Sequence, residues 1–353
     1  RLLNIMNMKF GKKNIGEDEK AFLIAEVAQA HDGSLGYAHA FIDAASEAGV
    51  DAVKFQAHFA SEESTLDEPF RVNFSYEDAT RFDYWKRMEF TKDQWSGLKD
   101  HAESKNLEFL CTPFSAYAVD LLNDIGIVGW KIGSGEVGER WLLEKIAQTK
   151  KPIIVSSGMS SLDSIDSVYD YLRDKKIEFC ILQCTSMYPT PIDKTNIDIL
   201  KKYMERYDVP IGLSNHSGSI WPSIYAIALG SKIIEVHIKL NDFAFGPDTS
   251  SSLSVEDLKL LVEARDSFNL MDVNQDTEKS SLKKTENTKS IFSRSITLDS
   301  NYPKGTVIKE NMVLMRKPGT GIPKKELPNL LGKKLARDYD SRYLLTSSDI
   351  DLS

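Results

Sequence analysis

Short apolar runs recur along the first two-thirds of the chain, and each is followed by a stretch with helical spacing. The runs lie at residues 22–27, 52–56, 107–112, 128–132, 152–156, 179–184, 211–216 and 232–238. Within them hydrophobic residues stand at consecutive positions instead of strictly alternating, which is the pattern of strands buried on both faces of a parallel sheet. The spacing predicts helices near 36–48, 92–104, 116–124, 140–149, 161–173, 195–206, 221–230 and 255–268. Eight strand–helix units predict a (β/α)8 TIM barrel. The open doubly wound sheet is the structural alternative, and no G-x-G-x-x-G follows the first run to support it.

Two departures from this rhythm are informative. A long polar and aromatic insertion, about 58–87, separates the second run from its helix. From 271 to 290 the chain becomes polar and charged and reads as a linker. The remainder, 291–353, has short apolar pieces, a Pro303-Lys304-Gly305 turn and the string Lys317-Pro318-Gly319-Thr320-Gly321. It predicts a small, loop-rich second domain with a weak core of its own that docks on another surface. The expected division is therefore 1–270, 271–290 and 291–353.

In a parallel barrel the C-terminal strand ends share one rim, and chemistry gathers there. The residues falling at those ends are Glu26, Lys54, Gln56, Thr112, Lys131, Ser134, Glu136, Ser156, Tyr188, Ser214, His216, Glu235 and His237. Lys54 and Lys131 interrupt apolar runs. A lysine in that setting needs an anion, either a core carboxylate such as Glu26 or a bound ligand. With Ser134, Ser156 and Ser214 the two lysines make a candidate site for a phosphate dianion. His216 and His237 close adjacent runs, so their imidazoles can meet and hold a divalent metal; hydrogen-bonded rim histidines are the simpler alternative.

Composition narrows the class. Hydrophobic residues make up 41% and charged residues 27%, ordinary for a globular chain with a sizeable core. A net charge of −8 argues against general nucleic-acid binding. Cys111, Cys180 and Cys184 lack C-x-x-C spacing and sit in apolar runs, as reduced buried thiols do. With no membrane-length apolar run and no secretory apolar region near the start, a cytoplasmic location without membrane contact is expected.

An ordered series of motifs now stands out: His31-Asp32-Gly33, DAVKFQ at 51–56, CTPF at 111–114, KIGSGE at 131–136, SSGMSS at 156–161, QCTSMYPTP at 183–191, IGLSNHS at 211–217 and GPD at 246–248. Together they resemble the sialic acid synthase family, which includes the N-acetylneuraminate, legionaminate and pseudaminate synthases. KPGTGI (317–322) and NLLGKKLARD (329–338) resemble that family's C-terminal antifreeze-like (SAF) domain.

The resemblance implies condensation of phosphoenolpyruvate with an N-acylated hexosamine, giving a nine-carbon 2-keto-3-deoxy acid and phosphate. It implies Mn2+ or Mg2+ on His216 and His237. Lys54, Thr112, Lys131, Ser134, Ser156 and Ser214 would hold phosphoenolpyruvate. Glu26, Gln56, Tyr188 and Asp248 would position the sugar, Glu136 would move protons, and Lys317 would reach the sugar from the neighbouring subunit of a domain-swapped homodimer. Asn215, Val236 and Lys317 depart from the family's usual residues. A Schiff-base aldolase using Lys131 or Lys54, and a sugar-binding relative without turnover, are the competing readings.

Overall fold

The computed structural model describes residues 6–273 and 286–351. The chain divides into two compact units, Arg1–Val273 and Asn274–Ser353.

The first unit opens on a hairpin, β1 (Met8–Phe10) and β2 (Lys13–Ile15), paired antiparallel. Eight parallel strands follow: β3 (Phe22–Ala28), β4 (Ala52–Ala57), β5 (Glu108–Pro113), β6 (Trp130–Ile132), β7 (Ile153–Ser156), β8 (Phe179–Cys184), β9 (Ile211–Asn215) and β10 (Ile233–His237). Their hydrogen-bonded order is β5-β4-β3-β10-β9-β8-β7-β6. The first and last strands of the series, β3 and β10, are neighbours, so the sheet has curled round on itself, and its seam lies between β5 and β6. This is the expected (β/α)8 barrel.

Helices alternate with the strands: α1 (Leu35–Ala48), α2 (Ala60–Glu63), α3 (Arg81–Met88), α4 (Lys92–Ser104), α5 (Ala116–Asp124), α6 (Arg140–Gln148), α7 (Leu162–Asp174), α8 (Asp198–Arg206), α9 (Trp221–Ala228) and α10 (Val255–Val273). Ser34, Thr91, Ser115 and Ser161 accept from the third backbone N–H beyond them and start α1, α4, α5 and α7. Gly49 ends α1 in the left-handed region at φ 83°.

The unbroken apolar runs conceal a period of two. Outward positions such as Leu23, Ala25, Val53, Phe109, Val155, Ile181 and Val236 pack against the helices. Inward positions split by height. Phe22, Ile24, Ala52, Leu110, Ile154, Cys180, Leu182 and Ile233 form one apolar cluster with Met8, Phe10 and Ile15 of the hairpin. The hairpin thus closes the lower mouth of the barrel. The leading residues carry only a basic, unpatterned signal, so this role is legible only once Phe10 and Ile15 are seen fully buried.

The insertion is not a bare loop. It contains α2 and α3, whose Ala60, Tyr84, Trp85 and Met88 form a buried cluster with Phe70, Phe74 and Phe82 packed against it. Of the stretch expected as linker, Met271–Val273 continue α10, and α11 (Glu286–Phe292) begins before its end. Residues 274–285 lie outside those described.

In the second unit β11 (Ser295–Leu298) pairs antiparallel with β12 (Val313–Arg316). Ile296, Leu298, Ile308, Met312, Leu330, Leu335, Tyr339, Leu345 and Ile350 form one buried cluster. Short apolar pieces far apart in sequence thus converge on one centre.

Candidate active site

Register places the upper inward side chains in a ring. His237 pairs with Glu26, and Glu26 with Lys54 on the next strand. Gln56 faces Thr112, and Ser214 lies beside Glu235. All are buried or nearly so, and they line one small cavity together with Lys131, Ser134, Ser156, Tyr188 and His216.

Four charges form its floor. Lys54 Nζ lies 2.7 Å from Glu26 Oε2 and 3.6 Å from Glu235 Oε1, and Lys131 Nζ lies 3.7 Å from the same Glu235 oxygen. Ser214 donates to Glu235 at 3.1 Å, and Lys54 to Thr112 Oγ1 at 3.3 Å. Burial opposes charge on Lys54, Lys131 and Glu235, and neighbours decide the outcome. For Lys54, Glu235 and Glu26 outweigh burial and hold the ammonium above its ordinary value. For Glu235, burial is outweighed by Lys131 and Lys54, which draw the carboxyl down. Lys131 has one carboxylate where Lys54 has two, so burial wins and its pKa falls, with Lys54 pushing the same way. Of the two floor lysines, Lys131 is thus the less well paired. Ser156 Oγ is buried without a hydrogen-bond partner among the described residues.

The histidines occupy the adjoining side. Their rings lie edge to face with centroids 5.3 Å apart. His216 Nδ1 is 3.0 Å from the Thr185 carbonyl, which can only accept, so the ring's proton sits there. The Nε2 lone pair then faces Ser214 Oγ at 3.2 Å and Tyr188 OH at 3.5 Å. Burial, with His237 adding to it, drops His216 to about 3, so the imidazole is neutral. His237 Nδ1 lies 3.8 Å from Asp248 Oδ2. A neutral imidazole oriented by a backbone carbonyl is what a metal ligand requires. Among the described residues no group of three His, Cys, Asp or Glu side chains is arranged to hold an ion. His216 and His237 alone offer a cation two imidazole nitrogens, fewer than the protein ligands of a closed metal site.

Above the ring opens a cleft of about 430 Å³, lined by Gln56, His58, Arg71, Glu136, Tyr188, His237 and Asp248 among others. Glu136 folds back over Gly133, where a Cβ would collide with its carboxylate. Burial raises the Glu136 pKa against the pull of Lys131. Ser134 Oγ meets Ser186 Oγ at 3.1 Å. Tyr188 stacks on His216 with centroids 4.3 Å apart and carries Arg71 on its ring at 4.4 Å. Arg71 in turn donates to Asp248 at 2.6 Å.

The barrel thus assembles every expected site residue of the first unit. Lys317 belongs to the second unit, directly after β12, with its Nζ 4.9 Å from the Phe292 ring centroid. Two of the unusual positions point away from the ring. Val236 faces the helix layer, and Asn215 ties its loop by donating to Ser219 O at 2.7 Å and Ser223 Oγ at 2.9 Å. Both have the outward phase of their strands. His31 packs on Phe90, with centroids 4.7 Å apart, away from the ring.

Sequence reasoning gave Glu235 no role, although its i, i+2 relation to His237 carried the signal. Arg71, His58 and Glu63 come from the insertion, where no periodicity marks which side chains turn inward.

Comparison with known proteins agrees with the geometry. The chain is 32% identical to the human N-acetylneuraminate-9-phosphate synthase over 330 residues, covering 91% of this chain and 90% of that protein. It is 32% identical to the N,N'-diacetyllegionaminic acid synthase of Legionella pneumophila over 341 residues, covering 94% and 95%. A crystal structure of the N-acetylneuraminic acid synthetase of Leptospira borgpetersenii, in complex with citrate, matches with a TM-score of 0.71 and 29% identity, over 80% of this chain and 96% of that one. A 3-deoxy-D-arabino-heptulosonate 7-phosphate synthase from Thermotoga maritima shares the fold at 16% identity and a TM-score of 0.56. The NeuB family model matches residues 41–276, and this chain belongs to the NeuB family.

Proposed function

We propose that this protein is a synthase that condenses phosphoenolpyruvate with the open-chain form of an N-acylated hexosamine. Membership of a family of named synthases supports the condensation. The observation that carries the site assignment is Lys131, a buried cation within ion-pair distance of one shared carboxylate, lining the same cavity as Ser156, whose hydroxyl has no hydrogen-bond partner among the described residues. An enol phosphate supplies Lys131 with a counter-ion of its own and both groups with acceptor oxygens.

Lys54, Lys131, Thr112, Ser134, Ser156 and Ser214 hold the phosphate and carboxylate of phosphoenolpyruvate over the charged floor. Glu26, Gln56, Tyr188 and Asp248 orient the sugar so that its aldehyde carbon meets C3 of the enol. The C3–aldehyde bond forms, the aldehyde oxygen takes up a proton, water adds at C2, and the C2–phosphate bond breaks to leave a ketone. Glu136, with its pKa raised by burial, takes the proton from that water. His216 and His237 would hold Mn2+ or Mg2+, which when bound supplies polarisation of the aldehyde oxygen. A homodimer in which Lys317 of one chain serves the barrel of the other completes this reading.

The test is phosphate release from phosphoenolpyruvate with a panel of N-acyl hexosamines and their 6-phosphates. It is run after chelation and after return of Mn2+ or Mg2+. Release with at least one sugar, lost on chelation, is expected. No release with any of them would sink the reading. The lowered pKa of Lys131 also favours an amine nucleophile, as in a Schiff-base aldolase. Borohydride with substrate then leaves an adduct on Lys131, whereas the synthase leaves none.

A further inference from the structure

Along the cleft wall a chain of side chains runs from the charged floor into the insertion. Gln56 Nε2 donates to Glu26 Oε1 at 2.8 Å. His58 Nε2 lies 3.2 Å from Gln56 Oε1, and His58 Nδ1 lies 2.6 Å from Glu63 Oε1 at the end of α2. His58 is clamped between the rings of Trp85 and Phe114, with centroids 3.8 and 4.0 Å away and both planes within 14° of its own. The two flanking rings hold the imidazole nearly parallel to their own planes.

The direction of each bond follows from the end that is fixed. Glu26 is paired with Lys54 and accepts, so Gln56 presents its NH2 to Glu26 and its oxygen to His58. An amide oxygen only accepts, so His58 Nε2 carries hydrogen. In a neutral ring Nδ1 is then bare, and the proton in the 2.6 Å contact belongs to Glu63.

We propose that Glu63 and His58 are positioning residues of the sugar site: a protonated Glu63 locks His58 in its Nε2–H tautomer, and His58 fixes the Gln56 amide so that it donates to Glu26. The kinetic part rests on the function proposed above. The electrostatic setting agrees. Burial, with Glu68 adding to it and Arg81 opposing, raises the Glu63 pKa to about 8, and Glu89 pushes the same way. Burial and then Arg81 lower His58 to about 3, against Glu68 and Glu26. A charged His58 with an ionised Glu63 satisfies the same distances but places two charges where burial opposes both. A carboxyl raised in this way keeps its proton until pH passes about 8 and loses its role as donor above that. Sugar binding therefore weakens on the alkaline side.

The experiment has two arms. In the first, the full chain is labelled with 15N-histidine, and the His58 signals are assigned by their loss in H58F, which preserves the aromatic stack. A ring protonated at Nε2 and bare at Nδ1 at pH 7 is expected. A doubly protonated ring, or one protonated only at Nδ1, overturns the proposal whether or not the protein turns over. In the second arm, E63A and H58F raise the KM for the sugar about tenfold, the scale of one lost buried hydrogen bond, and shift the KM for phosphoenolpyruvate less than about twofold. E63Q can still donate to His58. It recovers most of the loss seen in E63A and abolishes the alkaline fall. Equal losses in E63Q and E63A, or an alkaline fall that persists in E63Q, defeat the proposal. If the wild type releases no phosphate with any sugar, the proposed function fails, and the tautomer measurement alone decides the relay.

Discussion

The two ends of the barrel's interior are built by the same strands and have opposite characters. At the lower end Phe22, Ile24, Leu110, Ile154, Leu182 and Ile233 meet Phe10 and Ile15 in a dry apolar plug. Higher on the same inward face, two positions beyond Ile24, Ala52 and Ile233 on three of the strands, Glu26, Lys54 and Glu235 join Lys131 in a ring of four charges that is almost as thoroughly buried. Apolar burial stabilises by roughly 25 cal/mol per Å² and asks nothing of direction. Burying charge gains little stability even when it is well paired, and holds only while every partner is present. The lower half carries the fold, and the upper half holds two ammoniums and two carboxylates with unequal contacts, Lys54 meeting both carboxylates and Lys131 one.

Substitutions can break or sharpen this contrast. The largest effect is expected for Glu235→Ala, which leaves two buried ammoniums sharing only Glu26. Unfolding free energy in urea should drop by about 3–5 kcal/mol, and phosphate release should fall about a thousandfold. An active, stable variant would erase the distinction between the two ends.

Phe10→Ala comes next and acts only at the lower end. Its ring packs so closely that a Cβ on Gly129 would strike it. Thermal or urea unfolding should report a loss of about 3–5 kcal/mol, with kcat of the remaining folded protein within about twofold of wild type. A large fall in kcat instead would mean that the plug tunes the chemistry above it.

Glu136→Gln should lower kcat about a hundredfold. The sign of its pH effect follows from its role. A base must be ionised, and burial raises this carboxyl, so wild-type kcat climbs with pH through a limb above the ordinary carboxylate range. The variant should lack that limb in a pH profile, and a retained limb would assign it to another group.

The smallest effect is expected for Asn215→Asp, on the outward face beside the histidine strand ends. It replaces the donor to Ser219 O and Ser223 Oγ by an acceptor. About 1–2 kcal/mol of stability should go, with turnover changed less than about twofold. A severe loss of turnover would show that the outward phase does reach the site.

How much could be read beforehand depended on how local the signal was. Lys54 and Lys131 announced themselves because an ammonium inside an apolar run is costly wherever the run ends up. His216 and His237 could be paired because each closes a strand and parallel barrels align strand ends. Glu235 was placed at the rim but given no role, because a lone carboxylate between Ile234 and Val236 acquires meaning only from two lysines on distant strands. Arg71, His58 and Glu63 were hidden for a different reason. Irregular segments have no period, so their inward side chains are chosen by packing, here the stacking of His58 between Trp85 and Phe114.

The linear order of residues by itself determined the eight strand–helix units, the rim on which chemistry gathers and the residue types able to perform it. These follow from hydrophobic periodicity and from the cost of burying charge, both of which act over a few neighbouring positions. Tertiary structure alone decided that Met8–Ile15 closes the barrel from below, that Lys54 has two counter-ions where Lys131 has one, and that Glu63 connects to Glu26 through His58 and Gln56. These are relations between side chains far apart along the chain. They depend on strand register and packing to within an ångström, which no local pattern encodes.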